Sequence, residues 1–365
     1  MHPIHPAYGD GPGHPAAAAP APKEVLHMRG AVIHAPGDVR FETVDDPHVL
    51  HPTDAVIRTA VTCVCGSDLW PYRGAEPIGD PHPMGHEYVG FVEEVGSAVT
   101  SLRAGQFVVG SFATSDNTCV NCRNGFQSNC LHREFMSTCQ AEYVRIPNAQ
   151  GTLVATDEVP DEGLWSGLLA VSDVMGTGWW AADAAEVRPG STAVVVGDGA
   201  VGLCGVIAAK EMGAERIIAM SRHESRQKLA REFGATDIVT ERGEEGVERI
   251  RELTGGIGAD SVLECVGTAQ AMSQALHAAR PGGNVGFVGV PHEVAIDGQE
   301  LFFSHVGLRG GPAPVRRYLP DLIDRVLTAR IDPGKVFDLT LPLEQVAEGY
   351  KAMDERRAVK TLLKP

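Results

Sequence analysis

Three short segments carry residues able to hold a reactive metal ion: Cys65-Gly66-Ser67-Asp68, Gly85-His86-Glu87 and, much later, Asp173. One thiolate, one imidazole and one carboxylate, with a fourth position open, suit a catalytic zinc. Such an ion acidifies an alcohol as it does water and polarises a carbonyl for the reverse reaction. Glu87 directly follows His86 and is expected to approach the metal as an alternating ligand. Asp68 is expected to accept from the second ring nitrogen of His86 and so fix its tautomer. Ser67, two residues after Cys65, is placed to pass an alcohol proton toward the cofactor ribose and solvent. Singly these residues are unremarkable: a lone Cys is usually a small buried hydrophobe. Their combination ahead of the turn described next carries the reading.

That turn is Gly197-Asp198-Gly199-Ala200-Val201-Gly202. The β-like run Thr192–Val196 leads into it and a helical run from Ala200 follows. This is the context that makes a Gly-x-Gly-x-x-Gly pattern specific for a dinucleotide. Gly197 permits the tight turn, Gly199 lets backbone approach a pyrophosphate, and Gly202 lets helix and strand pack closely. Ala200 and Val201 open the helix whose free N–H groups face phosphate. NAD-selective sites put an acid at the end of the next strand, about 20 residues on. Here that end reads Met220-Ser221-Arg222-His223. Arg222 suits a 2′-phosphate bidentately and Ser221 can donate to it, so NADP(H) is expected over NAD(H). The alternative is a solvated Arg222, with Glu224 turned inward for NAD.

A second cluster, Asp116, Cys119, Cys122 and Cys130, packs three thiols and a carboxylate into fifteen residues, with spacings x2, x2 and x7. It reads as a closed, structural zinc loop holding a lobe with little core of its own. The alternative is a vacant loop with three free thiols. No charged-then-apolar leader begins the chain, so a cytoplasmic setting with reduced thiols is expected, and the tight cysteine spacing favours metal over disulfides.

These segments need two kinds of scaffold. With 365 residues the chain exceeds one ordinary core, so two domains are expected. Residues 1–27 are rich in His, Pro, Gly and Ala and are expected to be a disordered extension whose His2, His5, His14 and His27 bind metal loosely at most. Short apolar runs broken by Gly and Pro, such as 55–61, 88–95 and 106–112, predict a mostly antiparallel β domain with ligand-bearing loops. From about residue 159 helices appear, and strands then alternate with them: 192–196, 216–220, 237–239, 261–263 and 284–288. That alternation predicts an α/β doubly wound parallel sheet. The stretch from about residue 318 has no place in that sheet and is expected to fold back on the first domain. The formal charge of −16 argues against a nucleic-acid partner, and no apolar run is long enough for a membrane span.

From about Met28 to Pro365 the chain resembles the zinc-dependent medium-chain alcohol dehydrogenase family. The resemblance rests on Cys65–Asp68, Gly85–Glu87, the loop 116–130, Gly197–Gly202 and the ending Lys360–Pro365. It implies a GroES-like catalytic domain (28–176 and 319–365) and a Rossmann domain (177–318) with the cofactor between them. By the same resemblance Cys65, His86 and Asp173 are the catalytic zinc ligands, and Cys119, Cys122 and Cys130 are three structural ligands. Lys360 is implied near the cofactor pyrophosphate, and Val266, Val288 and Val290 near the nicotinamide. Asp in the third ligand place and Ser221-Arg222 resemble the bacterial NADP-dependent secondary-alcohol branch. Three departures stand out. Asp116 replaces the usual first structural Cys. Trp70 replaces a His common in the family. The third zinc ligand is Asp rather than Cys. Trp70, Trp179 and Trp180 either wall the pocket or pack. The expected activity is hydride transfer between NADP(H) and an alcohol or its aldehyde or ketone. Alternatives are a polyol, threonine or formaldehyde-adduct dehydrogenase, or a non-catalytic NADPH-binding relative. The expected partners are a small-molecule substrate and further copies of the chain, as a homodimer or homotetramer.

Overall fold

The computed structural model describes residues 27–365, so all but one residue of the expected N-terminal extension lies outside the described residues. Two large sheets organise the chain. The first has seven strands, with Ala55–Val64 near its centre, flanked by Tyr88–Val95 and Lys360–Lys364. Its pairings are antiparallel apart from Phe337–Pro342 against Lys360–Lys364. The C-terminal strand therefore returns to the first domain, with Thr361 opposite Val64 and Leu362 opposite Cys63. A small sheet of Asp38–Thr43, Arg29–Ala35 and His82–Pro83 flanks it.

The second sheet is parallel throughout, in the spatial order 237–239, 216–220, 192–196, 259–264, 279–287, 307–310. In chain order that is 3-2-1-4-5-6, the doubly wound arrangement, which opens a ligand crevice at the strands' C-terminal ends. The central strands are apolar and fully buried because helices cover both faces. The sixth strand, Gly307–Gly310, has no expected counterpart: four residues, two of them Gly, carry no periodicity, and pairing with Ala279–Phe287 defines it.

Two helices, Val174–Ala184 and Val315–Leu327, sit at the joint between the sheets, and the expected domain boundaries 176/177 and 318/319 fall inside them. The first packs unusually closely. A Cβ on Gly178 would lie 2.6 Å from Gly205 N, and one on Gly286 would lie 2.0 Å from Ala181 O. One apolar core runs from Val61 and Val89 through Met175 to Val195 and Leu263, joining both sheets. Trp179 and Trp180 belong to this core. Trp180 meets Phe126 edge-on and Arg309 covers its face. Both rings thus pack rather than wall a pocket.

Candidate active site

Strand Ala55–Val64 ends directly before Cys65, whose N–H donates to Asp68 Oδ2 at 2.9 Å and closes a tight turn. Gly85 has φ +94°, and a Cβ there would lie 2.5 Å from Gln140 Cγ. Only glycine lets Gln140 press behind His86. Gln140 then donates to Asp68 Oδ2 at 3.1 Å and accepts from the Tyr350 hydroxyl at 3.0 Å. Asp173 precedes the helix Val174–Ala184, and the Thr177 hydroxyl donates to its Oδ1 at 2.6 Å. Residues from three separate segments thereby converge.

Ligand atoms of Cys65, His86, Glu87 and Asp173 all lie within 4.8 Å of one another. Cys65 Sγ is 3.7 Å from Asp173 Oδ2, and His86 Nε2 is 3.3 Å from the same oxygen. The other ring nitrogen, Nδ1, faces Asp68 Oδ1 at 3.2 Å, the orienting contact expected for Asp68. Burial disfavours the His86 imidazolium, but Asp68, the Cys65 thiolate and Asp173 outweigh it and hold its pKa well above the ordinary value. Burial raises the pKa of Cys65, with Lys360 opposing. For Asp173 burial works upward, yet the His86 contacts prevail and its pKa is lowered. Four anionic or basic donors thus crowd together with little charge to balance them, which is the chemistry of a cation site.

Glu87 supplies the sharpest test of fit. Lys360 Nζ donates to its Oε1 at 2.6 Å and to Val64 O at 3.3 Å. Oε2 is buried with no hydrogen-bond partner among the described residues. A buried carboxylate oxygen left unpaired is costly unless something cationic meets it. The donor set therefore fits a zinc ion held by Cys65, His86 and Asp173, with Glu87 close behind. Lys360 is 1% exposed and its ammonium is committed to Glu87.

In the second cluster Cys119 Sγ lies 3.5 Å from Cys122 Sγ and 3.9 Å from Cys130 Sγ. Thiolates each about 2.3 Å from one tetrahedral ion sit about this far apart. Backbone N–H groups of Asp116 and His132 point at Cys130 Sγ. Asp116 joins the ligand set geometrically. Its Oδ1 accepts from the N–H groups of Thr118 and Cys119, and Oδ2 meets His132 Nδ1 at 2.7 Å. His132 had no sequence signal. Backbone N–H groups of Leu131 and Cys122 push Cys119 down to about 7.

At the glycine turn, Gly197 has φ +116° and a Cβ on Gly202 would lie 2.1 Å from Gly197 O. Gly199 has open space where a side chain would stand and begins the helix Ala200–Glu211. The positive φ of Gly197 and the close approach at Gly202 are the backbone features expected of those two glycines. Val266, Val288 and Val290 lie on two loops at the crevice, and Val266 and Val290 are exposed. Glu264, unforeseen, anchors these loops: its Oε1 accepts from Val266 N and Gly267 N at 2.9 and 2.8 Å. Ser221 is buried and its hydroxyl donates to Asp198 Oδ2 at 2.7 Å. Arg222 is exposed. Arg226 Nη1 lies 3.3 Å from Asp198 Oδ1, and Arg242 bonds Met220 O at 3.3 Å.

The comparisons with known proteins meet this geometry in both lobes. The family described as "Alcohol dehydrogenase GroES-like domain" matches residues 51–158, and "Zinc-binding dehydrogenase" matches 200–327. The zinc-type alcohol dehydrogenase B of Aspergillus flavus is 36% identical over 92% of this chain and 81% of its own. The chain belongs to the zinc-dependent medium-chain alcohol dehydrogenase family. An alcohol dehydrogenase structure from Thermus sp. ATN1 superposes with TM-score 0.85 at 31% identity, covering 92% of this chain and 99% of that one. The NADP-dependent isopropanol dehydrogenase of Clostridium beijerinckii is 32% identical over 78% of this chain and 84% of its own. The fold is thus the GroES-like and Rossmann pair, and this dehydrogenase is an oxidoreductase of a family that acts on small-molecule alcohols. No helix among the described residues is long and apolar enough to cross a membrane.

Proposed function

We propose that the chain is an NADP-preferring, zinc-dependent alcohol dehydrogenase interconverting a small alcohol and its aldehyde or ketone. The cofactor preference rests on one observation: Arg222, Arg226 and Arg242 lie near the end of strand Arg216–Met220, with Arg226 bonded to Asp198 and Arg242 in the field of both Asp198 and Arg222. Burial lowers the pKa of Arg242, Asp198 raises it in part, and Arg222 lowers it further, so these groups share one electrostatic neighbourhood. Surplus guanidinium charge favours a 2′-phosphate over a bare ribose. The NADP-dependent relative from Clostridium beijerinckii supports the same reading.

When bound, zinc supplies the Lewis acid for the alcohol oxygen and the nicotinamide accepts the hydride. The chain does the rest. Cys65, His86 and Asp173, with Glu87, hold the metal; Asp116, Cys119, Cys122 and Cys130 hold a second ion. Asp68 keeps His86 oriented, and Thr177 does the same for Asp173. Ser67 takes the alcohol proton. Gly197, Gly199, Ala200, Val201 and Gly202 form the pyrophosphate bed, and Val266, Val288 and Val290 line the nicotinamide. Residues 28–176 with 319–365 act as catalytic domain and 177–318 as cofactor domain. A cytoplasmic homodimer or homotetramer completes the proposed reading.

Steady-state assays of the zinc-loaded protein with NADP and NAD over primary and secondary alcohols test this. Roughly tenfold or greater kcat/KM with NADP is expected, falling toward unity in Arg222→Ala/Arg226→Ala. A clear preference for NAD overturns the cofactor assignment.

A further inference from the structure

One imidazole on the Rossmann side of the crevice is left unexplained by metal or cofactor binding. His292 follows the strand Ala279–Phe287, and its backbone N–H donates to Gly267 O at 2.9 Å. Thr268 and His292 form an isolated parallel bridge, and a Cβ on Gly289 would lie 2.1 Å from Gly267 N. The two loops are therefore locked backbone to backbone, which fixes where His292 stands. Its ring stacks on Trp70, with centroids 3.7 Å apart and planes 32° apart. Trp70 comes from the opposite lobe, and its N–H donates to Ser67 O at 3.2 Å. A ring of the Rossmann side thus packs on the side chain of the residue three positions after Ser67. His292 Nε2 is buried with no hydrogen-bond partner among the described residues, although the residue as a whole is half-exposed. One edge of the ring is shielded and another reaches toward solvent. An imidazole stranded in this way is an unfinished hydrogen-bond chain.

We propose that His292 is the proton exit of this dehydrogenase. The inference rests on the reading of Ser67 as the group that takes the alcohol proton. In oxidation the alcohol O–H bond breaks and its proton passes to Ser67. The Ser67 hydroxyl releases its own proton along the crevice to the His292 imidazole, and the resulting imidazolium loses a proton to solvent. The electron pair of the carbon–hydrogen bond leaves as hydride to the oxidised cofactor, so charge and atoms balance. In reduction His292 delivers the proton inward. Charged groups on the elements against the ring are Asp68, turned to His86; Arg73, paired with Asp354; Glu264, bonded to Val266 and Gly267; and Glu293, next in the chain.

His292→Phe keeps an aromatic ring on Trp70 and removes the nitrogen, which separates packing from proton transfer. The expected result is about 100-fold lower kcat for alcohol oxidation with KM for NADP unchanged. His292→Ala should be equally slow and partly rescued by added imidazole. Either wild-type turnover in His292→Phe or no imidazole rescue of His292→Ala overturns the proposal. Ser67→Ala separates the layers. If Ser67→Ala is slow while His292→Phe is normal, only the exit role fails; if Ser67→Ala is itself normal, the reading beneath it fails.

Discussion

Four side chains close each ligand cluster, yet Asp116, Cys119, Cys122 and Cys130 come from one loop, whereas Cys65, His86, Glu87 and Asp173 come from three distant segments. The loop cluster sits on short helical turns, Val120–Arg123 and Gln127–Asn129, with few apolar residues of its own. The distant cluster hangs on sheet ends and a helix start that the main core already fixes. On the proposed reading, metal at the loop site would organise structure, and metal at the other site would serve chemistry in a scaffold whose core is built without it. Lys360 sharpens the contrast: the last strand delivers a cation to Glu87.

The largest expected effect breaks this contrast most directly. Cys65→Ser or His86→Ala should lower kcat/KM by about 10³-fold or more, since a Lewis acid contributes several kcal/mol to the barrier. Tm should change little. Cys119→Ser should do the reverse, lowering Tm by several degrees while folded protein keeps most of its turnover. Kinetics and calorimetry on the same preparations check it. Equal loss of both properties in both variants would show that the clusters are not divided between structure and chemistry.

Asp68→Asn comes next. The amide keeps an oxygen for the Cys65 N–H but loses the charge facing His86 Nδ1. Zinc affinity at the catalytic cluster should fall by about 10–100-fold, with the loop cluster unaffected. Competition with a chromophoric chelator resolves the two sites.

What the sequence discloses follows the same division. Cys119-x2-Cys122-x7-Cys130 is legible because neighbours along the chain are also neighbours in space. Cys65, His86 and Asp173 are legible by type and order, and the strand-turn-helix at Gly197 by period and glycine spacing. Lys360 and Glu87 stand 273 residues apart, and no local pattern reports that they meet. Nor does the sequence report that Ser221 meets Asp198, 2.7 Å away. Glu264 and His292 carry no spacing at all; they matter because two loops abut at Gly267 and Gly289. Pairing across the fold decides such residues, and a single chain's periodicity does not encode it.

The smallest effect separates the thiols themselves. With metal stripped by chelator, Cys119 should alkylate with a rate that rises through about pH 7, because N–H groups of Leu131 and Cys122 stabilise its thiolate. Below that pH the thiol dominates and the rate falls. Cys65 is buried, burial lifts its pKa above the ordinary value, and its rate should still be climbing in alkaline solution. Mass spectrometry of alkylated peptides across pH 5–9 orders the two. Faster labelling of Cys65 than of Cys119 at pH 7 would mean that the catalytic lobe opens when its ion leaves. The scaffold would then depend on both metals, and the division of labour between the clusters would be gone.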